Sequence, residues 1–153
     1  MKNQTQITVS EVQLIYMNKV KASDRIKITC SRDAYNVFMD SWNPETIEFL
    51  ESFKILLMSR SNAVLGILEI SKGGISGTVS DVRVIFAAAL KGSASGIICA
   101  HNHPSGNLNP SESDTRLTQK LKEAGNLMDI QLLDHLIISV EGDYYSFADN
   151  SLI

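Results

Sequence analysis

The sequence predicts an α/β protein in which a mixed β-sheet is flanked by helices. Segments with the two-residue alternation of strands interleave with segments that have helical spacing, which is typical of layered α/β folds. Glycine, proline and asparagine separate these segments, as expected of turns. The chain has 153 residues, 44% of them hydrophobic, which is enough for one domain with a sizeable core.

The N-terminal residues 1–30 are predicted to be a strand extension that packs on the core. Within them, residues 7–29 alternate between apolar and polar side chains on both sides of a polar turn, which indicates two strands. Such a short segment cannot fold alone, so it depends on the domain formed by residues 31–153.

Two helices are predicted to follow. The segment Ser31–Trp42 begins with serine, a good N-cap, so Ser31 is expected to cap the first helix. Asn43 and Pro44 come next, and proline suits the first turn of a helix, so a second helix is expected to begin there.

A buried hairpin is predicted after these helices. Apolar side chains occupy both faces of Glu51–Met58, which indicates a strand covered on both sides. Residues 59–62 form a turn, and Ala63–Ile70 is expected to pair back as the second strand.

Helices and strands alternate through the second half of the chain. The helices are expected to begin at serine caps and to end close to glycines, which often terminate helices. The predicted elements are a helix from Ser80 to Lys91, a strand at Gly96–His101, a helix from Ser111 to Ala124, and strands at Ile130–Ser139 and Tyr144–Phe147.

Charge and composition limit the possible partners and compartment. The net charge of −3 does not indicate a nucleic-acid-binding protein. Four basic residues near the N-terminus are interpreted as a solvated strand face, with a phosphate-binding patch as the alternative: Lys19, Lys21, Arg25 and Lys27. The two cysteines form no disulfide framework, and no apolar run has the length of a membrane span or signal core. We therefore expect a cytoplasmic protein; no feature indicates an oligomeric state.

The most informative feature is a pair of histidines, His101 and His103, at the exit of an apolar strand. Side chains that are separated by one intervening residue project from the same face of an extended segment. Asp114 follows at the head of a predicted helix, and two imidazoles with one carboxylate make a three-ligand set for zinc that leaves a position open for water. The alternative is two solvated histidines on a surface loop.

Asp114 and Ser111 each have two interpretations. As a capping-box acid Asp114 would be exposed, whereas its helical spacing with Leu117 and Leu121 places it at the top of the inward, apolar stripe, where it would face a cation. Ser111 is first a helix N-cap, but its hydroxyl, one turn before Asp114, is also a candidate for stabilising an oxyanion beside the metal.

Zinc hydrolysis also requires a group that moves protons beside the bound water. Four upstream glutamates are candidates: Glu45, Glu48, Glu51 and Glu69. Glu51 shares a face with Phe53 and Ile55 at the mouth of a buried strand, where partial desolvation raises the pKa of a carboxylate. Its alternative role is a solvated charge at a strand end.

Three other residues near this pattern are interpreted mainly as core. Cys99 alternates in phase with the histidines and is expected to be a small buried hydrophobe, with a fourth ligand as the alternative. Asp134 and His135 are expected to be a satisfied core pair, and a supporting role toward the metal is the alternative.

The pattern His101-x-His103-Pro104, Ser111-x-x-Asp114, with Glu51 upstream, resembles the JAMM/MPN metalloprotease motif, and the longer strings around it resemble the RadC branch. The resemblance runs from about residue 31 to the C-terminus. It implies a cytidine-deaminase-like layered α/β fold, zinc bound by the two histidines and the aspartate, Glu51 as general acid and base, and an oxyanion contact from Ser111.

The resulting hypothesis is a zinc-dependent hydrolase that cleaves a peptide or isopeptide amide in an unidentified protein substrate. Two alternatives are a catalytically silent domain that binds a partner protein and a DNA-repair factor of the RadC type. RadC proteins carry an N-terminal helix-hairpin-helix segment associated with DNA, and residues 1–30 do not resemble it, so direct nucleic-acid binding is not expected.

Overall fold

The computed structural model describes residues 10, 13, 18–74 and 79–153. Within these residues the chain forms a mixed sheet with helices on both faces. The elements are α1 (Ser31–Ser41), β1 (Ser52–Met58), β2 (Val64–Lys72), α2 (Val82–Lys91), β3 (Gly96–Asn102), α3 (Glu112–Leu127), β4 (Gln131–Ile138) and β5 (Tyr144–Ser146).

The five strands lie in the order β2-β1-β3-β4-β5. Strands β3 and β4 are parallel and are joined through α3, whereas the other neighbours are antiparallel. This arrangement confirms the predicted α/β fold with a mixed sheet flanked by helices. Strands β1 and β3 are neighbours in this sheet, and in their antiparallel pairing Phe53 lies opposite His101.

Two apolar cores cover the two faces of the sheet. One packs α1 against the sheet around Phe38 and Leu56. The other packs α2 and α3 against the opposite face around Phe86 and Leu121, and it includes Cys99. Cys99 therefore lies in the core, where burial raises the pKa of its thiol. Burial on both faces is the reason that β1, β3 and β4 are nearly continuous apolar runs.

Two predicted helix caps are displaced by one residue. Ser31 is the first helical residue of α1 rather than its cap, because the Asp33 carboxylate accepts hydrogen bonds from the backbone amides of Thr29 and Cys30 and so sets Cys30 as the N-cap. Asp81, rather than Ser80, caps α2, since its carboxylate accepts from the Arg83 amide.

The helix predicted to begin at Asn43 and Pro44 is not formed. Residues 44–49 are consecutive turns. The carbonyl oxygens of Ile47 and Leu50 accept hydrogen bonds from the side-chain amide of Asn102 rather than from later residues of a helix. A contact between distant parts of the chain therefore overrides the local helical signal.

The strand expected over the described part of residues 7–29 is also wrong. Residues 18–29 contain a 3-10 turn at Ala22–Asp24 and a single bridge from Lys27 to Ala63. Most of the first predicted strand lies outside the described residues, and the boundary at residue 30 stays a prediction.

Helix α3 continues to Leu127, beyond the end predicted at Ala124. Gly125 lies inside the helix, where an added Cβ would lie 2.2 Å from the carbonyl oxygen of Ile130. This glycine therefore allows α3 to lie close to Ile130, the residue that leads into β4, rather than ending the helix. No helix in the described part of the chain combines the length and hydrophobicity needed to cross a membrane.

Candidate metal centre

The two histidines reach the same point because of the local geometry of β3. His101 is the penultimate residue of the strand, and His103 follows its last residue. Alternation along the extended chain therefore directs both rings to the face covered by α2 and α3. The His101 side chain is 2% exposed, and its Nε2 atom lies 3.0 Å from Nε2 of His103.

Asp114 is brought to the histidines by the capping box of α3. The Ser111 hydroxyl oxygen accepts a hydrogen bond from the Asp114 amide at 3.1 Å, and the Asp114 carboxylate accepts from the Ser111 amide at 2.7 Å. The same carboxylate lies 3.2 Å from Nε2 of His101 and 3.4 Å from Nε2 of His103. The two interpretations of Asp114 are therefore compatible, since it caps the helix and faces the histidines.

The donor set fits a divalent cation. One ligand atom from each of His101, His103 and Asp114 lies within 4.8 Å of the other two. The other ring nitrogen of His103, Nδ1, lies 2.6 Å from the carbonyl oxygen of Asn107, to which it donates. That hydrogen bond leaves Nε2 of His103 facing the carboxylate, and two imidazole nitrogens with a carboxylate oxygen are ligands that zinc prefers.

Electrostatics favour an ionised carboxylate in this group. Burial alone would raise the pKa of Asp114, but the adjacent imidazoles of His101 and His103 outweigh it and hold that pKa well below its usual range. The hydrogen bond to Asp114 in turn raises the pKa of His103, despite the opposing effect of burial. Asp114 is thus available as an anionic ligand at neutral pH.

Glu51 precedes β1 on the same side of the sheet as the histidines. Phe53 pairs with His101, so Glu51 lies two residues earlier on the same face of the strand, toward His103. Its charge contributes to the raised pKa of His103, which agrees with this proximity. Its backbone is anchored by the loop after β2, because the Gly73 amide donates to the Glu51 carbonyl at 2.8 Å.

The other three candidate glutamates are exposed rather than half-buried. Glu69 lies 4.0 Å from Nζ of Lys54, a side chain that packs on the opposite face of the sheet beside Trp42. Glu45 and Glu48 are exposed on the turns before β1, and Glu48 lines a shallow cavity together with His103. Glu51 is therefore the half-buried carboxylate among the four, although it does not belong to the group of three converging ligand atoms.

Comparison with known proteins decides the family. Residues 28–152 match the RadC-like JAB domain. The chain belongs to the RadC-like JAB domain family. This result confirms the resemblance inferred from the histidine motif.

Relatives of this RadC-like domain carry a name that assigns no activity. The chain is 46% identical over 127 residues to a UPF0758 protein of Flavobacterium johnsoniae, which covers 82% of this chain and 53% of that protein. It is 42% identical over 130 residues to a UPF0758 protein of Porphyromonas gingivalis, which covers 84% of this chain and 56% of that protein. The chain thus spans about half the length of the curated relatives it matches.

The Ser111 hydroxyl of the RadC-like domain caps α3 through its oxygen and keeps its hydrogen for donation. Its oxygen accepts from the Asp114 amide, so its hydrogen can still be donated to another group. Ser111 is exposed, and it lies beside the carboxylate that faces the histidines. The geometry is compatible with both roles predicted for this residue.

Asn102 is a residue of the site that sequence reasoning missed. It lies between the two histidines, and alternation turns its fully buried side chain to the opposite face of the sheet. Its amide nitrogen donates to the carbonyls of Ile47 and Leu50 at 2.6 and 2.9 Å, and its oxygen accepts from the Ser52 amide at 2.8 Å. Asn102 thereby holds the residues on both sides of Glu51. The signal was a polar residue inside a strand that is otherwise buried.

We expect Asn102→Ala to lower the free energy of unfolding of the RadC-like domain by about 2–4 kcal/mol, because three backbone groups, at least two of them in buried hydrogen bonds, lose their partner. Urea denaturation followed by circular dichroism measures the change. Asn126→Ala is the matched control, since Asn126 is exposed on α3 and its replacement should alter stability by less than about 0.5 kcal/mol. Equal unfolding midpoints for the two variants would contradict this role of Asn102.

Asp134 and His135 are both buried and both hydrogen-bonded, as expected of a satisfied core pair, but their side chains have different partners. Neighbours on a strand point to opposite faces, and the Asp134 carboxylate accepts from the Ser146 hydroxyl and the Ala148 amide, toward β5. His135 instead points into the core beneath the metal centre, with Nε2 2.9 Å from Nδ1 of His101. Burial raises the pKa of Asp134 and lowers that of His135 well below its usual value.

Proposed function

We propose that this domain is a zinc-dependent hydrolase that cleaves a peptide or isopeptide amide with water. The observation that carries the proposal is the convergence of two imidazole nitrogens and an ionised carboxylate at the end of a central strand. His101, His103 and Asp114 would hold one zinc ion. Three protein ligands leave a coordination position open, which is typical of catalytic rather than structural zinc.

Each remaining residue has a defined role in the proposed reaction. A bound zinc ion would supply a Lewis acid that polarises the scissile carbonyl and lowers the pKa of water. The Glu51 carboxylate would accept a proton from the attacking water as the water oxygen forms a bond to the carbonyl carbon. Glu51 would then return that proton to the nitrogen as the carbon–nitrogen bond breaks. The Ser111 hydroxyl would donate to the developing oxyanion.

Metal dependence tests this proposal directly. The chain is purified, its zinc content is measured by elemental analysis, and it is incubated with a library of peptides and isopeptide-linked peptides read by mass spectrometry. We expect about one zinc ion per chain, as a single three-ligand site requires. We also expect products that have gained one water per cleaved bond.

Removal of the metal should abolish the reaction. Dialysis against a chelator is expected to reduce cleavage at least about 100-fold, and stoichiometric zinc should restore it, because the open-site metal supplies the activated water. A zinc-loaded chain that cleaves no member of the library would overturn the hydrolase proposal and favour a domain that binds a partner protein. A chain that takes up no zinc would overturn the metal centre as well.

We further propose that the protein works in the cytoplasm. Both cysteines are unpaired, one exposed at Cys30 and one buried at Cys99. Unpaired cysteines are typical of reducing compartments. The substrate is described by its bond, an amide in a peptide or protein, since the residues above form a reaction centre rather than a recognition surface.

A further inference from the structure

We propose that Thr118 and His135 form a buried hydrogen-bond chain that holds His101 in the tautomer able to bind a metal. Both are positioning residues that act through His101 and do not touch the ligand side of the site. The inference rests on the metal-binding part of the proposed function and concerns neither the substrate nor the cleavage step.

The first link is the hydroxyl of Thr118. Its oxygen lies 2.7 Å from the carbonyl oxygen of Asp114, one helical turn earlier on α3. A carbonyl only accepts hydrogen bonds, so the single hydroxyl hydrogen of Thr118 is directed to Asp114. Oγ1 of Thr118 also lies 2.6 Å from Nδ1 of His135, and toward that atom it can now only accept. Nδ1 of His135 therefore carries a hydrogen.

The second link is the other nitrogen of His135. The ring is fully buried and packs between aromatic rings, 5.5 Å from the centroid of Phe53 and 4.9 Å from that of Phe147. A cation without an ionised partner is costly in such surroundings, so the ring carries one hydrogen only. Its Nε2 atom is then an acceptor, and Nδ1 of His101, 2.9 Å away, donates to it.

The chain ends at the metal-facing atom of His101. With a hydrogen on Nδ1, the neutral imidazole presents a lone pair on Nε2, the atom that faces His103 and Asp114. The opposite tautomer would direct an N–H group at the ion and exclude it. Helix α3 thus supplies the carboxylate ligand at Asp114 and, four residues later at Thr118, the hydroxyl that determines which nitrogen of His101 is available.

The two histidines of the centre are held in different ways. Nδ1 of His103 donates to a backbone carbonyl, that of Asn107 on an exposed loop. His101 depends instead on two side chains, those of His135 and Thr118, both inside the core. Its tautomer can therefore be changed by substitution without altering any metal ligand.

Thr118→Val and Thr118→Ser form the matched pair that tests the chain. Valine keeps the shape of threonine and removes the hydroxyl, whereas serine keeps the hydroxyl. The metal-free proteins are labelled with ¹⁵N at histidine. Two-bond ¹H–¹⁵N correlation spectra at about pH 8, above the ordinary pKa of imidazole, identify which nitrogens of each ring are protonated. Zinc affinity is measured in parallel by competition with a chromophoric chelator, and urea denaturation reports folding.

We expect the wild type and Thr118→Ser to show His101 protonated on Nδ1. Thr118→Val should populate the other tautomer and bind zinc about 10–100-fold more weakly, the usual cost of losing a group that orients a ligand. His135→Gln keeps an amide oxygen as acceptor and should retain affinity within a few-fold, while His135→Leu should lose it. This second pair decides the question if the valine variant does not fold.

A wild-type spectrum with His101 protonated on Nε2 would overturn the inference, as would wild-type zinc affinity in both Thr118→Val and His135→Leu. Equal losses in the valine and serine variants would also overturn it, because they would indicate packing rather than the hydroxyl. A wild type that binds no zinc would refute the proposed metal centre, and the metal-free spectra would still decide the tautomer.

Discussion

Replacing Glu51 with glutamine should abolish amide cleavage and leave zinc in place. Glutamine matches glutamate in size but cannot accept and return a proton, and general acid–base catalysis of this kind contributes about 10²–10⁴-fold to rate. We therefore expect kcat to fall by about that factor. Zinc content should stay at the wild-type level because Glu51 lies outside the group of three ligand atoms. Steady-state kinetics on a cleaved library peptide and elemental analysis measure the two quantities.

Glu69→Gln is the control for this variant. Glu69 is on the neighbouring strand and lies near Lys54 on the other face of the sheet. The Glu69→Gln substitution therefore removes the same charge without touching the site. It should keep wild-type kcat. An unchanged kcat in Glu51→Gln would remove this residue from the mechanism, and a loss of zinc in it would reassign Glu51 as a ligand.

Replacing Asp114 with alanine should strip the metal from the protein. The carboxylate is the anionic member of the ligand set, and losing even a group that only supports a ligand costs about 10–100-fold in affinity, so we expect a loss of at least about 100-fold. Cleavage should fall in parallel at limiting zinc. Competition with a chromophoric chelator measures the affinity.

The variant also removes half of the capping box, so helix stability must be separated from metal binding. Loss of a cap costs about 1 kcal/mol, which urea denaturation of the metal-free protein detects. Glu112→Gln is the matched control, since Glu112 is an exposed acid in the same first turn of α3. It should bind zinc like the wild type. Full zinc occupancy in Asp114→Ala would refute the ligand assignment.

Several elements were predictable from the sequence because local spacing decides them. Short, nearly continuous apolar runs placed β1 and β3 within one residue of their observed bounds. The spacing of His101 and His103 predicted a shared face, since alternation along an extended chain needs no tertiary information. The capping box of Ser111 and Asp114 was likewise readable, because its two hydrogen bonds join residues three positions apart.

Other elements depend on contacts between residues far apart in the chain. The segment after Asn43 has a helical signal, yet it forms turns. Its carbonyl groups accept hydrogen bonds from the side chain of Asn102, which lies more than fifty residues later in the chain. The sequence predicts His135 to be a satisfied core residue, but only the parallel pairing of β3 with β4 shows that it lies against His101. No periodicity within either segment contains that information.

The sequence alone therefore determined the fold class, the sheet strands that carry the site and the residue types available for a metal. The tertiary structure decided which of those side chains meet, which groups orient them and which glutamate shares their face. The physical reason is the range of the interactions: spacing and caps act within a few residues, whereas strand register and buried hydrogen bonds join segments only once the chain has folded.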